Sequence, residues 1–140
     1  MPAAELLASS PALLAGLCFV LGLLVGSFLN VVIYRLPVMM ENNWKQEARE
    51  ILELEPEAEP PAFNLVVPRS RCRQCGHAIS WYENIPVISW LLLRGKCREC
   101  GTGIGARYPV VELATGLISL ALANTFGFSP WLAATLLASW

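Results

Sequence analysis

Four of the five cysteines in this sequence lie in two copies of one motif, CRQCG at Cys72–Gly76 and CRECG at Cys97–Gly101, with twenty-one residues between the pairs. Two cysteines separated by two residues can bind one ion when a tight turn bends the backbone around it. The glycine after each pair suits such a turn, because glycine readily adopts a positive φ. Four thiolates complete the closed tetrahedral site that is typical of structural zinc. The spacing therefore predicts a zinc site with these ligands: Cys72, Cys75, Cys97 and Cys100.

The repeat extends beyond the glycines, since the pattern Cys-Arg-x-Cys-Gly-x-x-Ile ends at Ile79 in the first copy and at Ile104 in the second. We call Cys72–Ile79 and Cys97–Ile104 the two knuckles. A segment of about seventy residues with few core-forming side chains folds poorly alone, and a metal can supply the missing stability. Basic residues beside the cysteines would offset the charge of four thiolates: Arg71, Arg73, Lys96 and Arg98.

Other interpretations of the cysteines stay open. A disulfide pair is disfavoured if this segment is cytoplasmic, as the charge pattern below indicates. A redox-active CxxC motif needs only one pair, and free structural thiols need none. His77 could replace one sulfur, although a histidine beside a complete set of cysteines is more often a loop residue. Cys18 lies within an apolar run and is interpreted as a small apolar filler.

Two long apolar runs flank the cysteine-containing segment. The first, Pro11–Ile33, exceeds the roughly 20 residues that cross the core of a bilayer. A cleaved signal peptide would instead have a basic start and a shorter apolar core. The second run, Tyr108–Phe126, is also long enough, and GFSP at Gly127–Pro130 ends it. The ten residues of WLAATLLASW would form a helix of only about 15 Å, half a membrane.

The distribution of cations predicts an orientation. All ten Lys and Arg residues lie between Arg35 and Arg107, and cytoplasmic loops are enriched in these residues. The predicted fold is mainly α, with polytopic membrane helices and a small cytoplasmic four-cysteine zinc-knuckle domain after the first helix. The expected organisation is a periplasmic N-terminus at 1–10, a transmembrane helix at 11–34, a cytoplasmic domain at 35–107, a second transmembrane helix at 108–126, a periplasmic turn at 127–130 and the start of a truncated third helix at 131–140.

The first part of the cytoplasmic segment is strongly polar. Trp44, Ala48, Ile51 and Leu52 recur at helical spacing and predict a short amphipathic helix. The sequence EPEAEPP that follows is too rich in Pro and Glu for regular structure and is expected to be a solvated connection. The net charge of the whole chain is only −1, so composition gives no case for a nucleic-acid partner.

Several motifs together resemble the bacterial prepilin leader peptidase/N-methyltransferases. They are the paired CxxC motifs, GSFLNVVIYRLP (Gly26–Pro37), WYENIPVISW (Trp81–Trp90), LRGKC (Leu93–Cys97) and RYPVVEL (Arg107–Leu113). The resemblance implies a multi-pass enzyme of the bacterial inner membrane that serves type IV pili and type II secretion. Such enzymes remove the leader of prepilins on the cytoplasmic side, after a glycine, and methylate the new N-terminus with S-adenosylmethionine. The implied partners are prepilins and the lipid bilayer.

The chain departs from this family at the peptidase site. The family relies on two membrane-proximal aspartates, one of them in a GxGD motif, whereas this sequence has no Asp and no GxGD. We therefore expect no catalytic residue of the peptidase here. The aspartates are expected beyond Trp140, and this chain is expected to be an N-terminal portion that is not proteolytic alone. No residue is assigned to the methyl donor; Gly95 could form a turn before the second knuckle or contact that donor.

Polar residues in the apolar runs receive structural interpretations. Glu112 is taken to lie in the first turn of its helix, where a carboxylate favours the helix dipole, with Arg107 as a partner. Gly22, Gly26 and Asn30, together with Ser27, indicate a face packed closely on another helix. Two further functions stay open. One is a noncatalytic membrane-tethered zinc module that binds a pilus or secretion assembly partner; the other, weaker one is a basic knuckle that binds nucleic acid.

Overall fold

A computed structural model describes residues 3–54 and 62–140, and five α-helices account for most of them. The helices are α1 (Ala3–Ser9), α2 (Pro11–Ile51), α3 (Ile88–Leu92), α4 (Arg107–Phe126) and α5 (Pro130–Ser139), with a 3₁₀ turn at Trp81–Asn84. No strand occurs in the described ranges, which contain only two isolated antiparallel bridges, one in each knuckle region. The mainly helical class predicted from the sequence is confirmed.

The longest helix, α2, has 41 residues and joins two segments that the sequence analysis treated separately. It begins at Pro11, where the absence of an N–H costs nothing in a first turn. It continues past Tyr34 and includes Pro37. Good helix formers make up most of this extension, and an ion pair of 2.7 Å between Glu41 and Lys45 supports it. The extension contains Trp44 of the expected amphipathic helix, whereas the connection at 55–61 lies outside the described residues.

The helices α2 and α4 pack through small residues. A Cβ atom added to Gly22 would lie 2.6 Å from the carbonyl oxygen of Thr115, and one added to Gly26 would lie 2.7 Å from Cα of Glu112. Only glycine permits so close an approach of two backbones. The predicted packing face on the first helix is confirmed, because Asn30 is also buried against α4.

Polar side chains of this pair point inward and apolar ones outward. Asn30, Thr115 and Ser119 are buried between the helices. The side chains on the outer surface of α2 are large and apolar, among them Leu17, Val20, Leu24 and Phe28. Large apolar side chains gathered on one exposed face mark a surface that contacts lipid or other protein. Both α2 and α4 are long and apolar enough to cross a membrane.

A small apolar cluster joins the N-terminal part of α2 to the C-terminal part of α4 and to α5. It contains Leu14, Ala15, Cys18, Ala123, Leu132 and Leu136, from α2, α4 and α5. Gly127, at φ +57°, ends α4 and allows the chain to turn into α5. The burial of Cys18 in this cluster agrees with its interpretation as an apolar filler.

Candidate metal centre

Each knuckle is a tight turn held by backbone hydrogen bonds. In the first, the N–H of Cys72 donates to the carbonyl of His77 at 2.8 Å, and the N–H of Gly76 donates back to the carbonyl of Cys72 at 2.9 Å. Gly76 has φ +74°, a conformation that a residue with a side chain adopts only with strain. The turn thereby brings both cysteines of the pair to one side of the backbone.

The second knuckle repeats this geometry twenty-five residues later. The N–H of Cys97 donates to Thr102 at 2.8 Å, and that of Gly101 donates to Cys97 at 2.9 Å. Gly101 has φ +69°. A further pair of equivalent bonds closes the two turns, from Ile79 to Ser70 and from Ile104 to Gly95. The sequence repeat is therefore also a repeat of structure, as expected for two similar metal-binding loops.

The four sulfur atoms of the knuckles form one compact group. The Sγ atoms of Cys72 and Cys100 lie 3.7 Å apart, those of Cys75 and Cys97 lie 3.9 Å apart, and all four lie within 4.8 Å of one another. A tetrahedral site with metal–sulfur bonds of about 2.3 Å has sulfur–sulfur separations of about 3.8 Å. A disulfide bond would be about 2.05 Å long, and all four cysteines are free. The arrangement fits a single tetrahedral ion.

Two thiols of this group, those of Cys75 and Cys100, have pKa values shifted in opposite directions. Hydrogen bonds from the side chain and backbone of Thr102 lower the pKa of Cys100 to about 6. A backbone hydrogen bond of His77 favours the Cys75 thiolate, but desolvation and the neighbouring sulfurs raise its pKa to about 12. Four thiols this close cannot all ionise without repulsion. A divalent cation at the centre would relieve that repulsion and stabilise the deprotonated form of every ligand.

His77 lies outside the sulfur group. Its Nε2 atom is 3.2 Å from Oε2 of Glu83, and the group that could hold a metal in the described part of the chain contains the four cysteines alone. Glu83 accepts a second hydrogen bond, of 2.8 Å, from the N–H of Ser80. That backbone bond and then His77 lower the pKa of the Glu83 carboxyl group. The histidine thus holds the first knuckle against the 3₁₀ turn.

Two of the arginines beside the cysteines contact aromatic rings. The guanidinium of Arg73 lies 3.9 Å from the ring centroid of Tyr34 on α2. Arg98 donates a hydrogen bond of 3.1 Å to the hydroxyl of Tyr82. These contacts attach one knuckle to the long helix and the other to the 3₁₀ turn. Their role in offsetting thiolate charge stays a prediction.

Gly95 forms the turn before the second knuckle, which was one of its two predicted roles. Its φ is +66°, and a Cβ atom would lie 2.8 Å from the Trp90 ring. The indole N–H of Trp90 donates to the carbonyl of Ile104 at 3.0 Å. The tryptophan therefore spans the base of the knuckle and leaves no room for a side chain at position 95. A contact with a methyl donor is untested.

The interpretation of Glu112 as a first-turn residue is wrong. Since α4 begins at Arg107, Glu112 lies in the second turn, is 7% exposed and accepts a hydrogen bond of 2.8 Å from the N–H of Val87. Arg107 instead lies over the ring of Tyr108. Val87 has φ +61°, unusual for a β-branched residue. The buried carboxyl group holds this strained turn against α4, a contact that no spacing in the sequence indicates.

Arg35 also attaches the knuckle region to a helix, a role that the sequence did not indicate. In the sequence, its charge indicated only the orientation of the first apolar run. The side chain is buried at the point where α2 leaves the apolar region. Its guanidinium donates to the carbonyl of Asn64 at 2.7 Å and to that of Pro68. The ring of Phe63 lies beside it. Arg35 thus fixes the segment that leads into the first knuckle.

The comparisons with known proteins agree with the motifs. Residues 20–126 match the family described as the bacterial peptidase A24 N-terminal domain. Proteins named prepilin leader peptidase/N-methyltransferase from Pseudomonas aeruginosa and Stutzerimonas stutzeri are 55% and 56% identical over all 140 residues. One of the same name from Aeromonas hydrophila is 48% identical over 97% of the chain. The chain spans about half of each relative's length, 48%, 48% and 47%. No solved structure matches.

Proposed function

Because the chain belongs to the bacterial peptidase A24 family through that family's N-terminal domain, we propose that it is the N-terminal part of a prepilin leader peptidase and N-methyltransferase. The complete enzyme would remove the leader of prepilins and methylate the new N-terminus with S-adenosylmethionine, in type IV pilus or type II secretion systems. The observation that carries this proposal is the identity of 55% across the full chain to a relative of that name.

The proposed location is the bacterial inner membrane, with several crossings and with residues 35–107 in the cytoplasm. The outward apolar surface of α2 supports burial in lipid. The confinement of all Lys and Arg residues to Arg35–Arg107 supports the orientation. The cytoplasmic extension of α2 would carry the helix about 1.5 Å further from the membrane with each residue.

The proposed metal is zinc, held by Cys72, Cys75, Cys97 and Cys100. Their sulfur separations fit a tetrahedral ion. When bound, the ion would neutralise the thiolates and hold the two knuckles together. Four protein ligands fill the coordination sphere, so we assign the metal a role in folding rather than in the reaction.

The peptidase carboxylates are proposed to come from the half of the relatives that this chain does not span, because its sequence contains no Asp. The contribution of this chain would be to hold substrate and methyl donor on the cytoplasmic side. The knuckles, α3 and the start of α4 surround a cavity of about 600 Å³, which is within the range of small-ligand sites.

The proposal is tested by joining this chain to the remaining half of the Pseudomonas aeruginosa relative. Leader removal and N-methylation of a prepilin are measured for the joined protein, for this chain and for a joined protein carrying Cys97→Ser. We expect both activities in the joined protein, no leader removal by the chain alone, and loss of methylation in the Cys97 variant. The matched control is Cys18→Ala, which removes a thiol outside the metal group. Zinc binding without either activity in the joined protein would instead favour the noncatalytic module.

A further inference from the structure

The cavity between α2, α4 and the knuckle domain is lined at its membrane end by two buried polar side chains. Asn30 of α2 is 3% exposed and Glu112 of α4 is 7% exposed. Polar groups so deeply buried normally have all their hydrogen bonds satisfied. Each of these two side chains has an oxygen that can accept a further hydrogen bond. The kind of donor that would suit both oxygens indicates what the cavity binds.

The amide of Asn30 can be oriented without ambiguity. Its Nδ2 atom lies 3.2 Å from the carbonyl oxygen of Gly26 and 3.1 Å from that of Tyr108. Carbonyl oxygens only accept, so the nitrogen and not the oxygen of the amide must face them. Both donors are then used, whereas Oδ1 has no partner in the described ranges. A buried acceptor in this state is satisfied by a donor other than the described residues, either an ordered water or a bound molecule.

Glu112 lies one turn further along α4 from Tyr108, the residue that Asn30 contacts. One of its oxygens, Oε2, accepts from the N–H of Val87, and the side chain of Ser27 also hydrogen-bonds to the carboxyl group, but a carboxylate has about four acceptor positions. Within 3–54 and 62–140, no Lys or Arg forms an ion pair with it. Five arginines line the cavity. Arg35 is engaged by two carbonyl oxygens, and the others lie before the first knuckle or within the knuckles, at Arg69, Arg71, Arg73 and Arg98. The carboxylate therefore lacks a counter-ion.

A carboxylate without a counter-ion beside an unpaired amide oxygen complements a protonated primary amine. Such a group carries one positive charge and three donors on a single nitrogen. An anion would be repelled by an ionised Glu112, whereas an ammonium would stabilise the ionised form, which burial without a counter-ion disfavours. Aromatic residues line the approach, among them Tyr34, Trp90 and Tyr108, so the amine would belong to a molecule with an apolar body.

We propose that this cavity binds the α-amino group of a peptide N-terminus, with Glu112 as its counter-charge and Asn30 Oδ1 as an acceptor. The choice of a peptide rests on the proposed function, in which a newly exposed N-terminus is methylated at the cytoplasmic side of the membrane. Phosphatidylethanolamine carries the same ammonium chemistry, and the experiment below separates the two sources. Both residues act in binding and position the nitrogen.

The first test compares two probes on the whole chain, in nanodiscs made of phosphatidylcholine. The probes are a short apolar peptide with a free N-terminus and the same peptide N-acetylated, and the dissociation constant of each is measured. We expect acetylation to weaken binding at least about tenfold, since it removes the charge and two of the donors. Equal dissociation constants for the two peptides overturn the proposal, and this arm requires no variant to fold.

The second test uses Glu112→Gln, which keeps an oxygen for the N–H of Val87 but removes the negative charge. This variant is expected to bind the free peptide at least about tenfold more weakly and to lose the preference over the acetylated peptide. Glu47→Gln, at an exposed position on the same protein, makes an identical charge change and is expected to keep both. An unchanged preference in the Glu112 variant overturns the assignment.

The third test distinguishes the lipid and separates this inference from the proposed function. Peptide binding is also measured in phosphatidylethanolamine nanodiscs, for the chain with Glu112 and for the Glu112→Gln variant. If this lipid abolishes peptide binding only when Glu112 is present, the site binds a lipid headgroup and the peptide assignment is overturned. In the joined protein, Glu112→Gln should raise the KM for methylation of a mature pilin more than it lowers kcat. Normal methylation with an unchanged KM contradicts this inference alone. If the joined protein without this substitution neither methylates nor cleaves a prepilin, the proposed function is contradicted. Peptide binding to the chain can still be measured in that case.

Discussion

Replacing Arg35 by Met should release the segment that leads into the first knuckle. The buried guanidinium makes two hydrogen bonds, to the carbonyl oxygens of Asn64 and Pro68. Hydrogen bonds to charged groups contribute about 1.5–3 kcal/mol each, so the pair contributes about 3–6 kcal/mol to holding this segment on α2. That amount is comparable with the total stability of many small domains. Local opening should therefore become frequent even if the helices stay folded.

Hydrogen exchange followed by mass spectrometry measures this opening directly. In Arg35→Met, the amides of residues 62–71 should exchange at least about a hundredfold faster, because about 3 kcal/mol corresponds to two factors of ten. Arg35→Lys should give an intermediate increase, since an ammonium cannot span two carbonyls as the planar guanidinium does. Arg69→Met, at an exposed position in the same segment, is the matched control and should leave exchange unchanged.

The reasoning would be refuted if Arg35→Met, like the control Arg69→Met, left the exchange of residues 62–71 the same as in the unsubstituted protein. That result would mean that the buried bonds to Asn64 and Pro68 contribute nothing net, and that other contacts hold the segment. Faster exchange throughout α2 and α4 would also count against it, because the two bonds connect only the end of the helix to the loop.

Three further predictions concern the metal group and the helix contact. Cys97→Ser should reduce bound zinc from one equivalent to none and make the knuckles sensitive to protease, because metal binding and folding are coupled. The control variant, Cys18→Ala, should keep the zinc. Full zinc in the Cys97 variant would contradict the assignment. Gly22→Val should destabilise the protein by about 1–3 kcal/mol through overpacking, measured by thermal unfolding in detergent, whereas Gly16→Val enters open space. Equal effects of these two valines would rule out the close contact. Gly95→Ala should weaken zinc retention against a chelator, since φ is +66° and the Trp90 ring lies 2.8 Å from the new Cβ; unaltered retention would show that the turn can adjust.

The sequence was sufficient for the apolar helices, the cysteine group and one packing face, which depend on local periodicity or spacing. The uninterrupted apolar runs predicted two helices of membrane-spanning length, and the paired CxxC motifs with their glycines predicted four sulfurs in one group. Both are short-range properties. A helix buries or exposes neighbours according to its own repeat, and a CxxC turn is closed by bonds within a few residues. The small residues Gly22 and Gly26 likewise marked a packing face, since little else explains their spacing.

Only the tertiary structure decided which distant residues meet. Asn30 and Tyr108 are 78 positions apart, Arg35 and Asn64 are 29 apart, and Glu112 and Val87 are 25 apart. Each contact joins a side chain to a backbone group. Almost every residue carries the same backbone groups, so the type of the partner gives no signal in the sequence.

The same limit explains the misinterpretation of Glu112 and the unexpected length of α2. Glu112 was interpreted as a first-turn residue that favours the helix dipole, but it is the sixth residue of α4, and its role is set by the distant N–H of Val87. The continuation of α2 through Pro37 was hidden for a related reason, since the helix formers beyond the proline outweigh the loss of one hydrogen bond. Composition and spacing thus predicted the two long apolar helices and the group of four cysteines. The relative placement of α2, α4 and the knuckles, which depends on packing between distant residues, determined the cavity and the two acceptors inside it.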